Sequence, residues 1–509
     1  MEKSLLFSEC KKFSPELRRV TAVVFLIALI ISTPLIVGNS HYLDDNQRIM
    51  TGSVDMWFKD GRPLTAWLLQ SISFSTIISD LSPLPLIGGL AALAFMLILS
   101  LDKLLNAKPT LTAILALTVM LSPFIAQPML FTFDCLPILI SIGLSFLGCT
   151  DIHSTPGRQY LFSLSTFLAS LCLYQTSLNH SLINILLTIM VFIPKRHDHS
   201  KVALKHILTI TTSLVSAALL YQTVIGPHYI TGAHNLPRTA LVDVSFSSIP
   251  KIIDNAVVFL SGVMQGFPGY AVLPFILITV TGCLACWIMA WAALRMPATD
   301  SRRYLKALFY ISAPFCVVLG IPGFMVIFNA PEMRPRVLTA FSSALLFFFY
   351  AGFSIFPRLR KCLTGLIIFH LALSASFMAA TFRATVNQSL FDDALATSIR
   401  NDLSRLAQSD ISSISFIGDS PIAPAVKPYF KNYPFAGAMI PPALSESSIF
   451  RYQNLAYRFM IYQPLAETTA SLKAYQPSVL ASSNCLYRMF LYQRTAVVDF
   501  NHSPCAVPD

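Results

Sequence analysis

Two adjacent carboxylates, Asp44 and Asp45, follow closely on the first long apolar segment of the chain, which covers residues 20–37. Arg48 and Arg62 lie in the same polar stretch. A carboxylate can accept a proton from a hydroxyl group, and the guanidinium fork of an arginine suits a phosphate. Ionised groups beside a bilayer are costly and usually mark a functional site. We therefore interpret the stretch as a catalytic or ion-binding loop at the membrane surface, the alternative being an ordinary solvated loop.

A third carboxylate, Asp134, opens a later apolar segment, residues 134–149. It is expected at the same side of the membrane as the aspartate pair, where it would point into the same cavity. The alternative is an aspartate at a helix N-terminus, which the helix dipole favours. Tyr174 and Gln175 end the next apolar segment on that side. Their polar groups fit hydrogen bonds to a sugar and equally fit contacts between helices.

Further cationic and aromatic residues fall in the polar stretches of the same side. Arg238, Arg334 and Arg336 run against the usual placement of basic residues in a membrane protein, and they suit phosphate recognition. The alternative is solvation or contact with lipid headgroups. Trp57 and Trp67 interleave with the charged residues of the first loop, as expected at interfacial depth.

The composition defines the class of protein. The chain has 509 residues, of which 54% are hydrophobic and 12% charged, and its mean hydropathy is +0.63. These values exclude an ordinary soluble globular protein. The net charge of +11 lies in short clusters between apolar segments. Such clusters are typical of cytoplasmic loops and exclude a nucleic-acid-binding stripe.

Apolar segments long enough to cross a bilayer recur along the first three quarters of the chain. Eleven crossings would leave every basic cluster in the cytoplasm, with the first segment kept as a signal anchor. The sequence thus predicts a polytopic α-helical membrane protein whose domain at 1–381 has outer loops at 39–83 and 226–269. The predicted crossings are 20–38, 84–101, 110–127, 134–149, 160–177, 180–194, 207–225, 270–294, 307–329, 337–356 and 362–381.

The composition changes after residue 381. A helix is expected to leave the membrane there, followed by a short strand that ends near Gly418 and one or two strands near the C-terminus. Residues 382–509 are therefore predicted to form a small outer α/β domain. Cys485 and Cys505 are its cysteines and would close a disulfide in an oxidising compartment.

The order of motifs in the first loop resembles a known family. An apolar helix precedes Y-x-D-D-x-x-R and then W-x-x-x-G-R-P-L, as in the membrane glucosyltransferases that modify bacterial O-antigen, the serotype-converting type-II glucosyl transferase family. Similar features continue at Phe133-Asp134 and at Leu173-Tyr174-Gln175. The layout also resembles the broader GT-C glycosyltransferases. The residues that carry the first motif are Tyr42, Asp44, Asp45, Arg48, Trp57, Gly61, Arg62, Pro63 and Leu64.

The resemblance implies a GT-C-like enzyme of the bacterial inner membrane whose site faces the periplasm. It would move a hexose, with glucose expected, from a polyprenyl-phosphate donor to O-antigen or lipopolysaccharide, next to a donor synthase and a flippase. A flippase of lipid-linked saccharides and an O-antigen polymerase or ligase are the alternatives. The expected catalytic residues are Asp44, Asp45 and Asp134. The expected substrate-binding residues are Tyr42, Arg48, Trp57, Arg62, Tyr174, Gln175, Arg238, Arg334 and Arg336. A metal-free base is expected, with Mg²⁺ or Mn²⁺ held by the three aspartates as the alternative.

The basic clusters predict the result of topology mapping. Reporter fusions after Arg62 and after Leu390 should both report a periplasmic location, whereas fusions after Lys201 and Arg303 should report the cytoplasm, because positively charged loops are retained there. A cytoplasmic signal after Leu390 would contradict both the eleven crossings and the outer C-terminal domain.

Overall fold

The computed structural model describes a helical chain with a small C-terminal sheet. The residues described are 14–38, 40–153, 155–193, 200–231, 240–243, 245–267, 269–297, 303–406, 411–446, 459, 461, 464–466, 470–474 and 480–501.

Helices make up most of the described chain. The first half contains α1 (Pro15–Ile31), α2 (Thr33–Gly38), α3 (Asp45–Thr51), α4 (Asp55–Lys59), α5 (Pro63–Ser73), α6 (Leu84–Leu105), α7 (Pro109–Met120), α8 (Ala126–Leu130), α9 (Cys135–Leu147) and α10 (Pro156–Leu173). The second half contains α11 (Leu178–Phe192), α12 (Ser200–Leu220), α13 (Gly226–Tyr229), α14 (Ile249–Gln265), α15 (Leu273–Leu294), α16 (Arg303–Gly320), α17 (Phe341–Ile355), α18 (Arg360–Arg405), α19 (Lys427–Asn432) and α20 (Ala470–Ala474).

Long apolar helices confirm that this is a membrane protein. Within the described ranges, seven helices are long and apolar enough to cross a bilayer, or eight if the pair Pro109–Met120 and Pro123–Leu130, bent by 48°, forms one span. Helices occupy all eleven predicted segments, but those in the segments 20–38, 134–149, 160–177 and 180–194 are not among these candidate spans. One of the seven, Phe246–Gln265, lies where an outer loop was predicted. The count of eleven crossings is therefore not confirmed and stays a prediction.

The helices pack closely because small residues allow them to approach. Gly89 of α6 faces α9, where a Cβ atom would come within 2.9 Å of Leu139 and 3.2 Å of the Cα atom of Leu136. A larger residue would have to push the two helices apart. Around this contact, α10 packs against α12, and α15 packs against both α16 and α17. Buried aliphatic and aromatic side chains from most of these helices form one continuous core.

Residues 40–82 fold back on themselves and bring α3, α4 and α5 together at one end of the bundle. The two ends of the loop meet where His41 Nε2 lies 2.9 Å from Asp80 Oδ2. The hydrogen bond with His41 holds the pKa of Asp80 well below its usual range. Further inside, the Ile78 N–H donates to the Gly52 carbonyl at 3.0 Å. This loop positions most of the candidate site.

Helix α18 joins the membrane helices to the C-terminal sheet. The predicted domain boundary at residue 382 falls inside this helix, so both parts of the protein share it. Leu395, Ile399 and Leu403 of α18 lie in one apolar core with Ile414 and Phe416. A single rigid element thus runs from the bundle into the C-terminal part.

The C-terminal strands form a mixed sheet. The described strands are β1 (Ser413–Ile417), β2 (Leu480–Ser483), β3 (Arg488–Tyr492) and β4 (Thr495–Asp499), in the order β1-β4-β3-β2. β1 runs parallel to β4, whereas β3 is antiparallel to both β4 and β2. The predicted strand before Gly418 is confirmed by β1, and the one or two strands predicted near the C-terminus are confirmed by β3 and β4, whereas β2 was not predicted. Cys485 is disulfide-bonded, and its predicted partner Cys505 lies outside the described residues.

Candidate active site

A buried carboxylate, Asp134, lies at the centre of the candidate site. Asp134 immediately precedes α9 and is 4% exposed. Its Oδ2 accepts from Arg48 Nη1 at 2.5 Å, and its Oδ1 accepts from the Trp57 indole N–H at 2.8 Å. Arg62 Nη1 lies 3.6 Å from the same Oδ1. Arg48 and Arg62 supply positive charge and the indole supplies a hydrogen bond, and together they compensate the burial of this carboxylate.

Asp45 is the second buried carboxylate, and main-chain groups hold it. The residue is fully buried at the start of α3. Its Oδ2 accepts from the Thr132 N–H at 2.7 Å and from the Tyr42 N–H at 3.4 Å. Its Oδ1 lies 3.5 Å from Arg48 Nη1 and has no hydrogen bond. Burial raises the pKa of Asp45 to about 7, against the opposing effect of Arg48.

Asp44 is the most open of the three acids. Its side chain is 33% exposed, and its Oδ2 lies 3.6 Å from Arg48 Nη2, which is a looser contact than the Arg48–Asp134 pair. The pKa of Asp44 is raised, mainly by burial, with Arg48 opposing the shift. Among the three carboxylates, Asp44 is therefore the one that a substrate can reach without rearrangement of the protein.

Arg48 provides the positive charge that the three acids share. All three carboxylates face its guanidinium group, which also lies over the Trp57 ring, 4.3 Å from the ring centroid. Among the described residues, no group of three or more His, Cys, Asp or Glu side chains is arranged to hold a metal ion. The guanidinium takes the position that a shared cation would need, so this donor set does not fit the alternative Mg²⁺ or Mn²⁺ site.

Arg62 lies on the other side of Asp134, directly before α5. Its Nε donates to Gln175 Oε1 at 3.2 Å, and its guanidinium lies 4.9 Å from the centroid of the Tyr174 ring. Gln175 is fixed in turn, because its Nε2 contacts the Asp60 carbonyl at 2.7 Å and the Tyr221 hydroxyl at 2.8 Å. The planar fork of Arg62 is therefore held in one direction.

The turn before Arg62 requires glycine. Gly61 has φ +74°, a left-handed conformation that residues with a side chain rarely adopt. Its carbonyl accepts from the Tyr221 hydroxyl at 2.8 Å, and a Cβ atom at this position would collide with that hydroxyl. Tyr221 was not predicted as a site residue, because a tyrosine in an apolar helix gives no signal in the sequence.

A second cationic region lies at residues 332–336. Arg336 Nη2 contacts the Glu332 carboxylate at 3.3 and 3.4 Å, and Arg334 Nε lies 3.4 Å from Glu332 Oε1. The Tyr174 hydroxyl donates to the Arg336 carbonyl at 3.3 Å, which ties this region to the one around Arg62. Arg334 is the more exposed of the two arginines.

Tyr42 and Gln127 connect the acidic loop to this second region. Gln127 Nε2 donates to the Tyr42 hydroxyl at 3.2 Å, and Gln127 Oε1 accepts from the Arg336 N–H at 3.0 Å. The Tyr42 hydroxyl donates to the Met439 carbonyl. Burial raises the pKa of Tyr42 to about 12, so it stays protonated. Gln127 was also missed, although a buried glutamine in an apolar segment is a usable signal.

The structure gathers nearly all of the predicted site residues at one end of the bundle. The predicted residues joined by the contacts above are Tyr42, Asp44, Asp45, Arg48, Trp57, Arg62, Asp134, Tyr174, Gln175, Arg334 and Arg336. Arg238 lies outside the described residues.

The fold and site define a polytopic membrane protein with a carboxylate–arginine cluster at one end of its helix bundle. The chain belongs to the glucosyl transferase GtrII family, whose model matches residues 33–348, and this makes it a glycosyltransferase by class. It is also similar to an uncharacterized 55.3 kDa protein from the gtrB 5′ region of Salmonella phage P22. The two are 24% identical over 503 residues, which cover 96% of this chain and 100% of the phage protein. No solved structure matches the chain.

The central position of Asp134 leads to a stability prediction. Asp134→Asn should lower the thermal stability of the detergent-solubilised protein by an amount equivalent to roughly 3–5 kcal/mol, because it leaves Arg48 and Arg62 without their shared buried partner. Asp44→Asn, at the more open position, should change stability much less. Melting curves of the two variants, with size-exclusion chromatography to detect the folded fraction at each temperature, would compare their stabilities. Equal melting temperatures would contradict the central role of Asp134.

Proposed function

We propose that the protein transfers a hexose, with glucose expected, from a polyprenyl-phosphate donor to O-antigen at the periplasmic face of the bacterial inner membrane. The observation that carries the proposal is a partly exposed carboxylate, Asp44, beside the buried Arg48, with Arg62 on the other side of Asp134. The GtrII family match supports glucosyl transfer, and the name of the phage relative places its gene next to gtrB. A periplasm holds no nucleotide sugars, so the donor must arrive on a lipid. A donor synthase and a flippase would supply it.

The proposed reaction is a direct displacement with inversion. An acceptor hydroxyl oxygen attacks the anomeric carbon, the bond from that carbon to the phosphate oxygen breaks, and the electron pair leaves with the lipid phosphate. Asp44 accepts the hydroxyl proton, a contribution of about 10²–10⁴-fold for a general base. Asp45 is fully buried and is held by the Thr132 and Tyr42 N–H groups, so we assign it an orienting role beside Arg48.

Arg62 and the arginines at 334 and 336 are proposed to hold the leaving phosphate. Arg48 is committed to three carboxylates, whereas Arg62 has one hydrogen bond to Gln175 and a longer contact with Asp134. Arg334 and Arg336 contact Glu332 at 3.3–3.4 Å, which is long for a charged hydrogen bond. A phosphate could therefore form shorter hydrogen bonds with both arginines. Cations placed at the departing oxygen stabilise the charge that develops in the transition state.

Replacement of the aspartate pair tests the proposal. Asp44→Asn and Asp45→Asn keep the size of the side chain and remove its charge, so transfer should fall by roughly 10²-fold or more while expression is retained. Transfer would be measured with membranes and a synthetic polyprenyl-phosphate glucose, and lipopolysaccharide from cells with each variant would be analysed by mass spectrometry. Asp55→Asn, an exposed acid in the same loop, is the matched control. Wild-type activity in both variants would refute the catalytic role of the pair, and a wild-type enzyme that adds no hexose would refute the function.

The role of Arg62 is tested by a change that keeps its charge. Arg62→Lys should raise the apparent KM for the donor by about 10-fold and leave that for the acceptor nearly unchanged, because a point charge cannot replace a planar fork. Steady-state rates with varied donor would measure this. Arg358→Lys, at an exposed arginine two residues before α18, is the control. If Arg62 only reaches toward lipid headgroups, lysine will substitute freely and the kinetics will not change.

A further inference from the structure

Tyr42 connects the acidic loop to a segment nearly 400 residues away in the sequence. Its hydroxyl donates to the carbonyl of Met439, a residue that is 397 positions further along the chain and fully buried. The same hydroxyl accepts from Gln127 Nε2 at 3.2 Å. Tyr42 itself is 5% exposed, so its hydroxyl is used inside the protein.

The segment that carries Met439 is seated on the membrane helices. We call residues 423–440 the docking segment. At its start, the Ala423 N–H donates to Gln388 Oε1 of α18 at 2.9 Å, and the Tyr429 hydroxyl lies 2.6 Å from Thr381 Oγ1 of the same helix. At its end, the Phe435 ring packs against Phe124 with 5.6 Å between the ring centroids. The docking segment lies beyond residue 348, where the family match ends.

Two short routes lead from Tyr42 to the charged groups of the site. The Tyr42 N–H donates to Asp45 Oδ2 at 3.4 Å, and the Asp45 N–H donates to the Tyr42 carbonyl at 3.0 Å. On the other side, Gln127 carries the connection from the Tyr42 hydroxyl to the Arg336 N–H. A buried hydrogen bond of this kind fixes the orientation of the two groups that it joins, because leaving either partner unsatisfied is costly.

We infer that the docking segment is a positioning element of the active site and that Tyr42 is the residue through which it acts. When the segment is seated, Tyr42 is held from both sides, and Asp45 and Arg336 keep their places. When it is not, the acid pair loses its orientation. The inference rests on the proposed transfer reaction. It means that full activity requires a segment of the chain that lies outside the family match.

Full-length Tyr42→Phe in lipid nanodiscs tests the inference. The substitution removes one oxygen atom, and with it both hydrogen bonds of the hydroxyl. We expect kcat to fall by about 10–100-fold, as for small displacements of a catalytic group, while the donor KM changes less than about 2-fold. Tyr160→Phe is the matched control. The Tyr160 hydroxyl donates a hydrogen bond of 2.9 Å to Ser216 Oγ, and neither residue belongs to the site. Wild-type kcat in folded Tyr42→Phe would overturn the inference.

The pH dependence of kcat separates positioning from a simple loss of folded protein. Asp44 is the proposed base and Asp45 orients it as a carboxylate, and burial raises the pKa of both groups, that of Asp45 to about 7. The kcat is therefore expected to rise with pH through that range as the pair ionises. When Tyr42→Phe releases the docking segment, water reaches Asp45, so the pKa of Asp45 falls and the acidic limb of the kcat profile moves to lower pH. The titratable groups that face Asp45, and that the substitution leaves in place, are Asp44, Arg48, Asp134 and Cys135. A reduced kcat with an unmoved acidic limb would overturn the inference.

A second variant covers the case in which Tyr42→Phe does not fold. Thr381→Val combined with Gln388→Leu removes the two hydrogen bonds between α18 side chains and the docking segment, together with the bond from Gln388 to Asp392, and leaves every group of the site intact. A fall in kcat with the same shift of the acidic limb would support the inference, and unchanged kinetics would overturn it. Loss of transfer in Asp44→Asn together with normal kinetics in the anchor variant would leave the proposed function standing and remove only the inference.

Discussion

The burial of one carboxylate, Asp134, is the constraint on which the candidate site depends. A buried charge is tolerated only when hydrogen bonds and opposite charges surround it. No neighbour along the chain supplies them here; Arg48, Trp57 and Arg62 do, and they come from three successive parts of the loop at residues 40–82. The loop must therefore fold back over the start of α9, and this brings α3, α4 and α5 into one compact group.

The same constraint divides the work among the three acids. Asp134 is committed to holding two arginines, and Asp45 is committed to main-chain N–H groups. Asp44 has a single loose contact with Arg48 and is the most open. The three aspartates thus lie in three different environments. Their roles differ because their burial and their hydrogen-bond partners differ, since the side chain itself is the same. A proton acceptor for a substrate is best placed where solvent and substrate can reach, which favours Asp44.

The sequence predicted the parts of this arrangement that depend on local pattern. Hydropathy located most of the long helices, and the alternation near the C-terminus located the strands β3 and β4. The spacing of acids, arginines and tryptophan in the first loop indicated a site, and Asp134 contacts Arg48, Trp57 and Arg62 of that loop, as expected for a residue in the same cavity. Gln127 and Tyr221 were missed, because their partners are 85 and 160 residues away in the sequence. α14 lies within the predicted outer loop at 226–269, and the lysine, aspartate and asparagine that interrupt its apolar residues weaken its hydropathy signal.

Tyr174 links the two cationic regions of the site, and this link bears on how a phosphate would be held. Its ring lies beneath Arg62, and its hydroxyl donates to the carbonyl of Arg336. A ring packed in this way keeps the arginines of the two regions at a fixed spacing, because it is almost fully buried and has little freedom to turn. Glu332 then balances the charge of Arg334 and Arg336 when no anion is bound. An incoming phosphate has to compete with Glu332, at 3.3–3.4 Å, for Arg334 and Arg336, whereas the carboxylate nearest to Arg62, that of Asp134, lies 3.6 Å away and is also bonded to Arg48 and Trp57. This difference favours Arg62 as the first contact of the proposed donor.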